Sequence, residues 1–244
     1  MVRVPPHVRL WRVLPHAWRE RAHAWRRERE RTRRVRLGDL GRTTPIEHHL
    51  GRTRGGPIDR YYMERFLGEH RADIRGHALE VGDPGYVKTF GTGVERVDVL
   101  DIDPANERAT IVADVTDLAG VASDQFDCVV LTQVLQLVYE PASAFHALAR
   151  VLAPGGVLLA TVPGIVATAP GKGDYWRFTA EGARRLAEDA FGPGAVEART
   201  YGNVLAAAGF LYGLGQDDLD ALTLDVHDPY YEVLVALRAV KQPQ

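Results

Sequence analysis

An α/β fold, with a mostly parallel sheet flanked by helices and a helical extension in front of it, is what this sequence predicts. Three observations predict it. Short β-branched runs alternate with helical or turn-rich stretches over most of the chain. The first run ends in a glycine-bearing bend, Gly82-Asp83-Pro84-Gly85. The C-terminal run alternates apolar and polar residues over a length that suits an antiparallel last strand.

Taken in order, residues 1–50 form a basic extension. Within it, residues 7–36 read as a helix broken near Pro15, with Trp11, Trp18 and Trp25 every seven residues on one stripe. A stripe of that kind is expected to be buried, against the body or against a second copy of the chain. Residues 51–244 form the main domain. It opens with a turn-rich stretch and a helix over Ile58 to His70, Pro57 suiting the first turn. Seven strands follow, at His77–Val81, Arg96–Asp101, Thr110–Ala113, Phe126–Thr132, Gly156–Val162, Val196–Tyr201 and Tyr231–Val240. Residues 51–76 thus precede a core at 77–164, and 165–230 supply loops and helices before the terminal strand at 231–244. The first five strands each precede a helix or turn, so right-handed crossovers make them parallel. The sixth can join that set.

Charge is uneven. Residues 1–40 hold twelve arginines against four acids, while the whole chain carries a formal charge of -2, so the body is strongly acidic. An acidic body, glutamates that interrupt the arginine-rich arm, and Thr132-Gln133-Val134-Leu135 after the fourth strand all argue against a nucleic-acid substrate. One cysteine, Cys128, excludes an internal disulfide and reads as a small buried hydrophobe. With no run long and apolar enough for a membrane span and no leader pattern at the start, a cytoplasmic protein is expected.

The chemistry is expected where strands end. Gly82 lets the backbone turn sharply and approach a ligand, and Asp101 follows nineteen residues later at the end of the second run. At that distance an acid can accept from both ribose hydroxyls. Asp114 closes the third run in the same crevice, where an adenine amino group is within its competence. No His/Asp/Glu group has metal-ligand spacing, so no metal is expected.

Glu80-Val81-Gly82, Asp101-Ile102-Asp103-Pro104, Ala113-Asp114, Gln125-Phe126-Asp127, Gln133 to Leu137 and Arg150 to Gly156, in this order, resemble the class I S-adenosylmethionine-dependent methyltransferases. The likeness covers about residues 57–240 and is nearest the type 11-like branch that acts on small molecules and natural products. It implies a Rossmann-like seven-stranded sheet, mostly parallel with an antiparallel last strand. It also implies S-adenosyl-L-methionine as cofactor. Glu80, Gly82 and the loop between them and Tyr86 would approach its methionine part, Asp101 its ribose, Ile102 its adenine face, and Asp114 with Val115 the adenine edge. Gln133 would line the floor near the sulfonium. The chain departs from the pattern twice: Asp83-Pro84-Gly85-Tyr86 lacks the fuller glycine set, and Leu137 stands where relatives often carry a histidine.

The helix at Ile58 looks like the lid of such enzymes. Tyr61 or Arg60 would clamp the methionine carboxylate, although Arg60 could instead pair with Asp59 or Glu64. If the sixth strand is parallel and the seventh returns, residues 202–230 and the loop from Pro163 to Thr179 wall the acceptor side. Tyr175, Trp176, Arg177, Asn203 and Tyr230 are then substrate-binding candidates. His227, beside Asp225 and Asp228, and secondarily Asp174, are the candidate bases. O-methylation of a sugar, a glycosylated compound or another secondary metabolite is the leading expectation. N- or carboxyl-methylation and a catalytically idle cofactor-binding scaffold are the alternatives, and a homodimer through the tryptophan helix is the expected partner.

Overall fold

Alternation along the strands sorts the side chains into two cores. In β4, Phe126–Thr132, Val129 and Leu131 face one side of the sheet while Cys128 and Val130 face the other. The first layer is completed by α3, Pro141–Val151, and α4, Ala180–Phe191, through Phe145, Leu148, Val151, Ala187 and Phe191. The second is completed by α1, Ile58–Glu69, and α5, Val204–Leu211, through Tyr62, Phe66, Leu67 and Phe210. The computed structural model describes residues 18, 20–22, 24, 25, 38–171 and 173–243.

The other strands are β1, Gly76–Val81; β2, Val94–Asp101; β3, Ile111–Val112; β5, Leu152–Pro163; β6, Val196–Tyr201; and β7, Leu234–Val240. Their order is β3-β2-β1-β4-β5-β7-β6. β1 to β5 pair in parallel, while β7 runs antiparallel to both β5 and β6. This is the mixed sheet that the sequence implies, with one refinement: β6 points the same way as β5 but is hydrogen-bonded through β7. Chain order reverses between β1 and β4, and the ends of neighbouring strands diverge there into a crevice at their carboxyl edge. Two short helices also matter for the site, α2, Gly85–Phe90, after the first bend, and α6, Ala221–Asp225, between β6 and β7.

The chain divides between Thr43 and Thr44 into two units. In the first, Trp18 and Trp25 are helical and exposed, while Trp11 and Pro15 lie outside the described residues. In the second, the turn-rich stretch before α1 is seated against the loop after α5. A Cβ on Gly215 would stand 1.8 Å from the Arg54 carbonyl oxygen, and one on Gly213 the same distance from that of Glu47. Glycine is required at both positions because two backbones touch there. The Cys128 thiol is buried, and burial pushes its pKa up to about 12, in keeping with a packing role.

Phe145 lies wholly buried where α3 meets the sheet. Phe145→Ala should lower unfolding free energy by about 3–5 kcal/mol in urea denaturation. A loss under about 1 kcal/mol would mean that this layer is not close-packed.

Candidate active site

The crevice begins at the bend after β1. Gly82 has φ +85°, its N–H donates to the Leu100 carbonyl at 2.8 Å, and a Cβ built on it would meet no atom within 4 Å. The room beside it is therefore open. Glu80, buried two residues earlier in β1, accepts from the N–H groups of Tyr86 at 3.0 Å and Val87 at 2.8 Å. These amides belong to the first turn of α2, whose free donors need a partner. Burial raises the Glu80 carboxyl to about 7, against the opposing pull of those two amides.

Beside Gly82, Asp101 ends β2. Its Oδ1 accepts from the Asp103 N–H at 2.9 Å and its Oδ2 from Asn106 Nδ2 at 2.7 Å. These bonds, the backbone one first, hold its pKa below the ordinary carboxylate value. The same Asn106 amide donates to the Gly82 carbonyl at 2.8 Å, so one side chain ties the two strand ends together. Ile102 follows with its side chain 68% exposed at this rim. Asp114 lies just beyond Val112, which is level with Asp101 in the sheet. Its Oδ1 accepts from the Thr116 N–H and hydroxyl. Val115 sends its side chain into the core, leaving only its backbone for a ligand.

Past the bend, a cavity of about 330 Å³ opens between the end of β4, the first turn of α1, Tyr86 of α2 and the loop 166–177. Gln133 stands there with φ +55°, its N–H bonded to the Thr161 carbonyl. Gln136 Nε2 donates to the Gln133 carbonyl at 2.8 Å, yet Gln133 Nε2, Gln136 Oε1 and the Thr161 hydroxyl are buried without partners. Unmatched buried polar atoms are costly, and a donor and an acceptor left open beside a cavity suit a polar ligand. Arg60 lines this cavity, and so does Asp59, whose carboxyl burial raises to about 6. In the sequence Asp59 stands as a partner for Arg60, and no pattern marks Gln136 or Asn106 for these contacts. For Asp59, a short acid in the first turn of a lid helix was the available signal.

Several expected roles need correction. Asp174 is no free base: Arg177 grips it with two bonds of 2.6 and 2.8 Å, and the Ala169 N–H donates to it at 2.8 Å. The Arg177 guanidinium holds its pKa below the ordinary value. Arg177 also donates to the Val166 and Ala167 carbonyls, so the pair braces the acceptor-side loop. His227 is not brought to the cavity. Its Nε2 lies 2.7 Å from the Thr200 hydroxyl in a separate cleft lined by Tyr62, Arg65 and Tyr201. That cleft uses a different face of α1. Tyr61 donates to Asp225 at 2.9 Å and is thus turned away from the Arg60 side. Asn203 is saturated, capping α5 with its Oδ1 and donating to the Thr223 and Val226 carbonyls with its Nδ2. Tyr230 is 89% exposed and lines neither space. Tyr175 and Trp176, by contrast, are hung from the Gln136 carbonyl by their N–H groups and form an exposed aromatic shelf with Tyr139.

Residues 86–160, which run from the bend through β5, match the family described as methyltransferase domain. The chain carries a methyltransferase domain that uses S-adenosylmethionine. Solved structures agree in fold. A chain of the Haloferax volcanii complex between the Trm112 methyltransferase activator and a methyltransferase is 16% identical, with TM-score 0.50 over 76% of this chain and 92% of that one. An S-adenosylmethionine-dependent methyltransferase from Archaeoglobus fulgidus is 12% identical, with TM-score 0.51 over 75% and 94%. The phosphoethanolamine N-methyltransferase 2 of Haemonchus contortus, in complex with phosphomonomethylethanolamine and S-adenosylhomocysteine, is 13% identical, with TM-score 0.50 over 75% and 53%. No curated protein matches the sequence.

The methyltransferase's Glu80 gives a pH test. Its folded pKa of about 7 lies above the ordinary 4.5, so its contribution is fully present below pH 4.5 and lost as pH rises through 7. The stability of wild type relative to Glu80→Gln should fall by about 3 kcal/mol between pH 4 and pH 8, at about 1.4 kcal/mol per unit. Equal differences at both ends, measured in urea, would show that Glu80 titrates as if exposed.

Proposed function

We propose that this methyltransferase transfers the methyl group of S-adenosylmethionine to a hydroxyl oxygen of a small secondary metabolite. The observation that carries the site assignment is the open bend: space over Gly82 where a Cβ would touch nothing, joined through Asn106 to Asp101 and leading toward the unpartnered Gln133 amide. The donor set fits the cofactor. Asp101 has two of its lone pairs engaged and two left for ribose hydroxyls. Ile102 offers an exposed apolar face to the adenine ring, with Asp114 and the Val115 backbone at its edge. Arg60 on the cavity wall, with no ion pair within 4 Å among the described residues, suits the methionine carboxylate, and Gln133 Nε2 lies at the floor.

When bound, the cofactor supplies an electrophilic methyl already activated by its sulfonium. The residues of this chain then have positional tasks. Glu80 holds the first turn of α2 against the bend, which keeps Gly82 open. Gln133 and Gln136 present one donor and one acceptor to orient a polar acceptor. The Asp174–Arg177 brace keeps the loop 166–177 over the cavity and limits water. In-line displacement depends chiefly on such alignment, which is worth several kcal/mol of barrier. A cavity of about 330 Å³ favours a small acceptor, and the Tyr175 and Trp176 shelf suits a ring at its mouth, such as a sugar or aromatic group.

Two outcomes are expected. Asp101→Ala should weaken S-adenosylhomocysteine binding by about a hundredfold in isothermal titration, as loss of two charge-assisted bonds requires, without unfolding the chain. Unchanged affinity would move the ribose elsewhere. We also read the tryptophan-bearing unit as a homodimer contact, supported by the exposed Trp18 side chain. Sedimentation of the full chain should then show a dimer that Trp18→Ser weakens, and a monomer at all concentrations would remove that reading.

A further inference from the structure

Once the sequence candidates are placed, the acceptor side of the cavity still lacks a group able to take a proton. His227 and Asp225 belong to the other cleft, and Asp174 is saturated by Arg177 and the Ala169 N–H. The remaining charged or titratable groups around the cavity are Arg52 before α1, Arg60 on α1, Tyr86 on α2 and Asp59 itself. Arginines stay protonated, and burial raises the Tyr86 phenol, which makes it a poor acceptor. Asp59 differs from all of these. Its carboxylate is held by first-turn backbone of α1, with no side-chain hydrogen bond among the described residues and only the charges of Arg60 and Arg52 nearby, and it shares the cavity with the open Gln133 Nε2 and Gln136 Oε1.

We propose that Asp59 faces the transferring methyl and is the general base of the reaction, which makes the acceptor a neutral alcohol or phenol. This inference rests on the cofactor site assigned above. The acceptor oxygen's lone pair forms the new bond to the methyl carbon. The carbon–sulfur bond breaks with its electron pair remaining on sulfur, which becomes a neutral thioether, and the hydroxyl proton passes to an Asp59 carboxylate oxygen. A carboxylate acceptor is disfavoured, because it is already ionised and would meet the like charge of Asp59. Burial sets the carboxyl at about 6, so it is ionised at neutral pH yet far more basic than an exposed aspartate.

The geometry is tested without knowing the acceptor, by titrating two cofactor analogues into the full chain. Sinefungin carries a cationic amine where the reacting centre stands, and S-adenosylhomocysteine is neutral there. Wild type should prefer sinefungin by tenfold or more at pH 7.5, and the preference should fade below pH 6 as Asp59 takes up its proton. Asp59→Asn should abolish the preference while binding S-adenosylhomocysteine within about threefold of wild type, and Asp59→Glu should keep part of it. Melting curves at pH 7.5 should show both variants folded, since a buried charge is removed in the first and retained in the second. The same sinefungin preference in wild type and Asp59→Asn would overturn the assignment of Asp59. Failure of wild type to bind S-adenosylhomocysteine would instead overturn the cofactor site itself.

Discussion

The site depends on one constraint, the sharp turn that carries the chain from β1 into α2. Two strands end side by side there, and the backbone must leave the sheet without filling the space above it. Gly82 does so at a positive φ that costs a residue with a Cβ strain, while its N–H remains bonded to Leu100. The turn is held from below. Glu80 is taken out of water to accept the first free amides of α2, and this desolvation is only partly offset by two backbone hydrogen bonds. It is held from the side by Asn106, whose amide reaches both Gly82 and Asp101. The bend therefore stays open because three groups with no ligand of their own fix its rim.

Much of this was legible because it follows from periodicity. β-branched runs bounded by glycine and acid gave the strands, and Phe126–Thr132 and Val196–Tyr201 match the observed elements residue for residue. The spacing from Gly82 to Asp101 placed both at one edge, since parallel strands joined by one crossover must end together. Asn106 was not legible, because its role depends on a loop folding back over five residues. His227 was misplaced for a topological reason. β7 inserts between β5 and β6, so Thr200, which His227 contacts, sits three strands from β4. At strand spacing that is roughly 14 Å from the crevice. The sequence left the sixth strand open to join the parallel set, and the displacement that β7 imposes was not legible.

The acids of this chain show how environment divides one chemical type into separate tasks. Asp101 and Asp174 are surrounded by donors, an amide and backbone in one case and a guanidinium in the other, and their pKa values fall. Glu80 is buried and Asp59 half-buried, both hydrogen-bonded by backbone, and desolvation raises them to about 7 and about 6. The first pair are fixed anions suited to holding position. The second pair sit where a proton can be gained near neutral pH, and Asp59 lines the cavity beside Gln133. The Asp174–Arg177 spacing of three residues was a visible sign that this acid would be consumed by its neighbour.

The lid helix joins these parts. One face of α1 presents Asp59, Arg60 and Met63 to the cavity, while Tyr62 and Arg65 face the cleft that holds His227. Its root is fastened where Gly51 and Gly215 bring two backbones together and where Arg54 pairs with Asp218. Farther along, Tyr61 in the first turn and Arg65 in the middle both reach Asp225, Glu69 in the last turn pairs with Arg199, and Phe66 and Leu67 are buried on the inner face. Surface ion pairs of this kind contribute little singly, but the backbone contact at the glycines cannot slide without a steric clash. The helix is thus held along its length, by backbone contact before its root and by the buried Tyr62, Phe66 and Leu67 beyond it. With both its root and its inner face fixed in this way, the first turn keeps Asp59 and Arg60 in place on the cavity wall.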